Sequence, residues 1–142
     1  MDKIYVIYYS QTGNTSIMAE AIGAGITEAG KEAAVLEVGS ASIDELKHAS
    51  VFAMGCPAMG DEVLDEYEME PFVAEVENFV NGKTVALFGS YGWGDGQWMR
   101  DWVDRMTAAG ATILGEEGFI CQEGPDEDML QQLNELGKRM AQ

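Results

Sequence analysis

Short, almost continuously apolar runs alternate with helical patterns along this chain. The runs cover residues 4–9, 33–38, 51–56, 84–89 and 111–120. Continuous apolar runs of this length are typical of strands that are covered on both faces of a sheet. Each run therefore predicts one β-strand.

Apolar residues at helical spacing lie between these runs and after the last one. The stripes that we expect to be buried are Ile17, Met18, Ala21, Ile22, Gly25 and Ile26 in the first gap, Trp98, Trp102 and Met106 in the fourth, and Met129, Leu130, Leu133, Leu136 and Met140 at the C-terminal end. Gly30 can end the helix of the first gap and Gly110 the helix of the fourth gap. The sequence "PDED" at 125–128 suits the first turn of the C-terminal helix. Shorter helical patterns at 43–48 and 71–80 fill the remaining gaps.

The strict alternation of strand and helix predicts a parallel sheet, with right-handed crossovers that place helices on both faces. This is a doubly wound α/β architecture, and a length of 142 residues favours a single domain over 1–142. Ligands in such folds bind beyond the carboxyl ends of the strands. The loops after the first, third and fourth strands are therefore the candidate site.

The acidic composition narrows the choice of partner. With 25 acids against 8 bases, the formal charge of −17 repels nucleic acid and anionic membranes, and it favours basic partners or simply keeps the protein soluble. Cys56 and Cys121 lack the spacing of a zinc site or a disulfide framework, so we expect no metal and two reduced, mostly buried thiols. The charged start of the first apolar run differs from a signal peptide and predicts a cytoplasmic protein.

The first candidate loop, "SQTGNT" at 10–15, stands directly before a helix. It offers three hydroxyls, two amides and a glycine, with no Lys or Arg. The N–H groups and dipole of a helix N-terminus attract anions, so the loop suits a phosphate monoester held by uncharged donors. It lacks the glycine and lysine of a phosphate-transferring P-loop and the G-x-G-x-x-G of a dinucleotide site. An ordinary helix N-cap is the alternative.

The other two loops offer a flexible peptide and an exposed ring. Met59 and Gly60 precede an acidic run, and a turn with positive φ at the glycine lets its peptide present either C=O or N–H, which makes it a candidate switch. A solvated acidic rim and a gap-filling methionine are the alternatives. Trp93 stands between two glycines that cannot fix its packing, so we expect it to cover a flat ligand. His48 is expected to face solvent, without a role.

Together, "SQTGNT", "CPAMGDE" and "ALFGSYGWGDG" resemble the phosphate loop and the two isoalloxazine loops of the flavodoxins, small FMN-carrying electron-transfer proteins. The resemblance spans the whole chain. It implies a flavodoxin-like doubly wound three-layer sandwich with a five-stranded parallel sheet in the order 2-1-3-4-5. Because the stretch 111–125 is too short for the insertion of long-chain members, the chain resembles the short-chain type.

The resemblance also implies the FMN-binding residues, which are Ser10, Gln11, Thr12, Gly13, Asn14 and Thr15, then Pro57, Ala58, Met59, Gly60, Asp61 and Glu62, and finally Ser90, Tyr91, Gly92, Trp93, Gly94 and Asp95. Residues 10–15 would hold the phosphate. Trp93 would stack on the outer face of the ring and Met59 on the inner one. Backbone N–H groups of 92–94 would face the N1 and O2 edge, and Glu62 would accept a hydrogen bond from N3–H.

The same resemblance implies a redox switch at Gly60. Its carbonyl would turn toward N5 when the one-electron-reduced ring takes up a proton there, stabilising the neutral semiquinone. Gln11 and Pro57 depart from the expected pattern, and Pro57 has no N–H to donate to the phosphate.

The implied function is that of a low-potential one-electron carrier with tightly but non-covalently bound FMN, cycling between neutral semiquinone and hydroquinone. Such a protein is not an enzyme and is expected to be a monomer. The acids would disfavour an anionic reduced flavin and would steer the basic docking patches of donor and acceptor oxidoreductases.

Two rivals share this architecture. An FMN-dependent NAD(P)H or quinone reductase would need room beside the ring, where the sequence places Trp93 and acids. A receiver-type signalling module would need aspartates after the first strand and a later lysine, where this chain has Ser10 and "SYGW".

Overall fold

A parallel sheet forms the middle layer of the computed structural model, which describes residues 3–11, 13–60 and 62–142. Its strands are β1 (Lys3–Tyr8), β2 (Glu32–Glu37), β3 (Val51–Gly55), β4 (Thr84–Tyr91), β5 (Thr112–Ile113) and β6 (Phe119–Gln122). They follow the order β2-β1-β3-β4-β5, and β6 also pairs with β4. Every pairing between these strands is parallel, which confirms the predicted sheet order.

Helices cover both faces of the sheet. They are α1 (Asn14–Glu28), α2 (Ile43–Lys47), α3 (Met69–Val76), α4 (Gln97–Ala108) and α5 (Glu127–Met140). Helices α1 and α5 enclose one apolar core with the sheet, and α2, α3 and α4 enclose the other. The three-layer prediction is therefore confirmed. Among the described residues, no helix is long and apolar enough to cross a membrane.

The prediction of one continuous strand over 111–120 is wrong. Between the Val85–Ile113 pair and the Phe88–Phe119 pair, β4 advances by three residues and its neighbour by six. The extra residues bulge outward in a turn that includes Gly115 and Glu116, both with positive φ. The reason lies in the sequence "GEEG", since two adjacent acids cannot be buried between covering layers without partners. The sheet consequently has six strands, with β5 and β6 sharing one edge position.

Two further expectations need correction. Ile17, assigned to the buried stripe of α1, is 46% exposed because it lies beside that stripe, whereas Met18 is fully buried. Helix α3 occupies Met69–Val76 instead of 71–80, and it begins early because the carboxylate of Asp65 accepts hydrogen bonds from the N–H groups of Glu68 and Met69. His48 is exposed, as predicted.

Helices α1 and α5 approach each other closely at two glycines. A Cβ atom on Gly25 would overlap the backbone carbonyl of Asn134, and one on Gly137 would overlap the carbonyl of Ile22. The contact therefore brings backbone against backbone, and no side chain larger than hydrogen fits at either position.

We expect Gly25→Ala to destabilise the protein by about 1–3 kcal/mol, the usual cost of overpacking. This loss of stability should appear even though alanine is more favourable than glycine in a helix interior by about 1 kcal/mol. Urea unfolding measures it, with Thr27→Ala on the exposed face of α1 as the control, which should change stability by less than about 0.5 kcal/mol. Equal or higher stability of Gly25→Ala would show that the two helices can move apart.

Candidate functional site

The three predicted loops leave the sheet side by side at the carboxyl ends of its strands. They are called the first, third and fourth loops, after the strands β1, β3 and β4 that they follow. Tyr8 pairs with Gly55, and Gly55 pairs with Phe88. The ladder continues beyond the strands, because the N–H of Cys56 donates to the carbonyl of Phe88 at 3.1 Å and that of Ala58 to the carbonyl of Ser90 at 3.0 Å. These bonds fix the starting points of the loops relative to one another.

The first loop is organised around the hydroxyl of Ser10. Its Oγ accepts hydrogen bonds from the N–H groups of Gly13, at 3.1 Å, and Ser16, at 3.3 Å. Both bonds use oxygen lone pairs, so the O–H of Ser10 is left to donate to an anion. Gly13 has φ of 97° and immediately precedes α1, where only glycine avoids strain. Thr12 lies outside the described residues.

Two buried hydroxyls join the first loop to the fourth. The Oγ1 of Thr15 lies 3.3 Å from the Oγ of Ser90, and both residues are almost fully buried. Asn14 is half-buried at the first turn of α1, and Gln11 is exposed. The loop thus presents backbone N–H groups and uncharged side chains to the space beyond the sheet.

The third loop begins with a small hairpin. Met59 and Val63 exchange both backbone hydrogen bonds, each at 2.9 Å. Gly60 has φ of 48°, and a Cβ there would meet no atom within 4 Å. Pro57 and Ala58 lead into the hairpin, and Asp61 lies outside the described residues.

The carboxylate of Glu62 ties this hairpin to the fourth loop. Its Oε1 accepts hydrogen bonds from the N–H of Gly96 at 3.2 Å and the N–H of Gln97 at 3.1 Å. These donors stand at the N-terminus of α4, whose dipole favours a negative charge. A Cβ on Gly94 would overlap the carboxyl group, which explains the glycine at that position. Sequence patterns did not reveal this bridging role of Glu62.

The fourth loop presents an exposed indole. Trp93 is 64% exposed, and Gly92, Gly94 and Asp95 around it are exposed as well. Tyr91, half-buried behind the loop, packs against the ring of Trp98 with centroids 5.6 Å apart. The guanidinium of Arg100 donates to the backbone carbonyl and to the Oδ1 of Asp95, each at 3.0 Å. The mostly exposed indole is thus displayed on an anchored loop.

A cavity of ≈ 180 Å³ opens between the loops. It is lined by Gln11, Asn14, Pro57, Ala58, Met59, Ser90, Tyr91, Gly92 and Glu123. Glu123 was missed by sequence reasoning, although it follows β6 at the same sheet edge and donates its N–H to the carbonyl of Tyr91 at 2.8 Å. Treating 111–120 as one strand concealed the loop after β6, which also contributes to the site.

The end of β3 is fixed by groups that surround Cys56. The carbonyl of Cys56 accepts the indole N–H of Trp98 at 3.0 Å, and its thiol donates to the carbonyl of Pro57 at 3.4 Å. Burial raises the pKa of the Cys56 thiol to about 12. This neutral thiol is a packing group, and Cys121 is half-buried; both cysteines are free, as predicted.

Most of the chain matches a known family of proteins. A family model described as flavodoxin matches residues 6–137. This chain belongs to the flavodoxin family. It is 49% identical over 136 residues to a flavodoxin from Clostridium beijerinckii, which covers 96% of this chain and 97% of that protein. It is 38% identical over 138 residues to a flavodoxin from Megasphaera elsdenii, with coverage of 97% and 98%.

Solved structures of flavodoxins share the fold. The two-electron reduced Megasphaera elsdenii flavodoxin aligns with a TM-score of 0.85 at 36% identity, covering 97% of this chain and 98% of that one. A flavodoxin from the domain Archaea aligns with a TM-score of 0.87 at 31% identity, covering 99% and 96%.

The flavodoxin is therefore an FMN-binding electron-transfer protein, which carries electrons to redox partner proteins and is not an enzyme. The short-chain prediction is confirmed by these relatives of similar length. The reductase alternative is not favoured, because the chain matches flavodoxins over nearly their full length.

Removing the carboxylate of Glu62 should loosen the contact between the hairpin and α4. In Glu62→Ala, the amide protons of Gly96 and Gln97 should exchange with solvent at least about tenfold faster, since an opening free energy falls by about 1.4 kcal/mol when one such bond is lost. Hydrogen exchange followed by NMR measures this. Glu62→Gln keeps an acceptor oxygen and should retain most of the protection; equal exchange in all three proteins would contradict the bridge.

The buried thiol of Cys56 predicts a pH dependence of stability. Its pKa of about 12 in the folded protein lies above the ordinary value of 9.0, so the unfolded chain loses this proton first as the pH rises. The contribution of the protonated Cys56 thiol to the free energy of unfolding is complete below pH 9, and it declines as the pH rises toward 12. Urea unfolding at increasing pH should give a flatter profile for Cys56→Ala than for the natural protein. Parallel profiles for the two proteins would show that this thiol ionises freely.

Proposed function

We propose that residues 10–15 and the N-terminus of α1 hold the phosphate of FMN. The observation that carries this proposal is the absence of acid from the first turn of α1, whereas α2, α3 and α5 each carry acids there and α4 receives the carboxylate of Glu62. Among the five α-helices of the described residues, the N-terminus of α1 alone has neither an acid in its first turn nor a carboxylate bound to it. A phosphate dianion fits the uncharged donors there.

The flavin ring fits between the third and fourth loops. Trp93 supplies an exposed flat surface for stacking on the outer face of the ring, and Met59 lines the cavity on the inner side. Backbone N–H groups of 92–94 would bind the N1 and O2 edge of the ring, and Glu62 would accept a hydrogen bond from N3–H. FMN supplies the one-electron chemistry when bound, and the chain supplies binding, orientation and electrostatics.

Gly60 serves as the switch of the site. A Cβ atom at Gly60 would meet no atom within 4 Å, and the Met59–Val63 bonds hold the two ends of the hairpin. In one orientation the Gly60 carbonyl accepts a hydrogen bond from ring atom N5 when that atom carries a proton. The switch thereby favours stepwise transfer of single electrons.

The acidic composition affects both the reduction potential of the bound flavin and the choice of redox partner. No Lys or Arg occurs within the three loops, so no cation favours negative charge on the fully reduced ring, and we infer a low potential for that step. The same acids attract redox partners with basic docking patches. The strong self-repulsion supports a monomer, and the two free thiols support a cytoplasmic location.

Anaerobic stepwise reduction with dithionite, followed by visible absorption, tests this function. The FMN-loaded protein should pass through a broad long-wavelength radical band before it bleaches. Direct bleaching would contradict the switch at Gly60, and a colourless protein that takes up no FMN would contradict the site.

A matched pair of glycine variants isolates the switch. Gly60 and Gly82 both have positive φ and open space where a Cβ atom would stand. Gly82, however, lies just before β4, at the end of the sheet opposite the candidate site. Alanine at either position carries a similar backbone cost of about 1–2 kcal/mol. Gly60→Ala should lower the maximum radical yield, and Gly82→Ala should lower stability alone.

A further inference from the structure

One exposed aromatic side chain is not used by the flavin site. The large apolar side chains exposed among the described residues are those of Ile17, Val63, Tyr67 and Trp93. Trp93 is assigned to the flavin ring in the proposed function. Tyr67, at 86%, is the most exposed of the four, and Val63, at 48%, lies four residues before it in the segment between the hairpin and α3. Tyrosine is enriched at protein interfaces, because its ring is apolar and its hydroxyl end is polar.

Tyr67 is presented on a well-fixed turn. The residues around it are anchored by Asp65, whose buried Oδ2 accepts from the N–H of Glu68 at 2.7 Å and of Met69 at 3.0 Å. Leu64 and Met69 are buried on either side of the turn. Because the backbone is already ordered, placing the tyrosine ring in a partner's pocket costs little conformational entropy.

The charges beside this ring define the complementary surface. Glu66 and Glu68 immediately flank Tyr67 and are exposed, whereas the next acid, Glu70, is bonded to Arg105 at 2.8 and 2.6 Å. An aromatic ring framed by carboxylates complements an apolar slot with lysine or arginine at its rim. Tyrosine is common among the interface residues whose truncation weakens binding most, which agrees with a role of Tyr67 in docking.

We propose that Tyr67 and Val63 form an apolar anchor that docks redox partners beside the flavin. The partner is a redox protein whose cofactor edge lies in an apolar surface ringed by lysine or arginine. The inference rests on the proposed function, because Val63 closes the hairpin that carries Met59 and Gly60. The anchor thus brings the partner's cofactor next to the ring, while Glu66 and Glu68 guide its approach.

The test uses the FMN-loaded protein, fully reduced under anaerobic conditions and mixed in a stopped-flow instrument with a lysine-rich c-type cytochrome as acceptor. Tyr67→Ala should lower the second-order rate constant by about tenfold, the effect of truncating a central interface aromatic. Tyr67→Phe keeps the ring and should stay within about twofold. The loss should persist at about 1 M salt, where a purely electrostatic contribution is screened within about 3 Å.

A charge-matched pair separates steering from anchoring. Glu66→Gln with Glu68→Gln should slow the reaction at low salt and lose this effect at high salt. Glu20→Gln with Glu75→Gln removes the same charge at exposed positions on α1 and α3, and it should change the rate constant less.

An unchanged rate constant in Tyr67→Ala would overturn the anchor. Loss of the flavin spectrum in that variant would overturn it as well, because Tyr67 would then hold the cofactor instead of the partner. Dithionite titration of the natural protein reports on the proposed function separately, so failure of the anchor and failure of the flavin site are distinguishable.

Discussion

The parallel alignment of β1, β3 and β4 is the constraint on which the site depends. Backbone hydrogen bonds continue past the strands, from Tyr9 to the carbonyl of Gly55 and from Cys56 to that of Phe88. Glycine permits this close approach, because a Cβ on Gly55 would overlap the ring of Phe88 and one on Gly89 would overlap the carbonyl of Cys56. A slip in register would separate the loops, because each loop starts at the end of its strand.

Carboxylates connect the loops that this alignment brings together. Glu62 joins the hairpin to α4, and Asp65 fixes the turn before α3. Arg105 then joins α4 to α3, because its guanidinium bonds to Glu70 and to Glu77, and these bonds raise its pKa. The acids of the third loop therefore differ in role: some are structural, and only the exposed ones are available to a partner.

Much of this arrangement could be predicted from the sequence, since short apolar runs and helical stripes depend on local periodicity. The loops after the first, third and fourth strands followed from the sheet order, which also explains why Trp93 was expected at the site. Contacts between distant residues could not be predicted this way. The bond from Glu62 to Gly96 and the hydroxyl pair of Thr15 and Ser90 depend on tertiary placement, and the break in the edge strand depends on whether Glu116 can be buried.

The proposed phosphate site raises the question of how a chain with a charge of −17 holds a dianion. Repulsion between exposed charges is screened over roughly 8–10 Å at ordinary ionic strength, so most acids act weakly on a group at the N-terminus of α1. In the proposed site, hydrogen bonds from Ser10 and the first turn of α1 would act on the phosphate at contact distance, where no water intervenes. Local donors therefore decide binding, while the summed charge decides which proteins approach. Because these two effects act over different distances, one chain can both repel anions in solution and hold one in its loops.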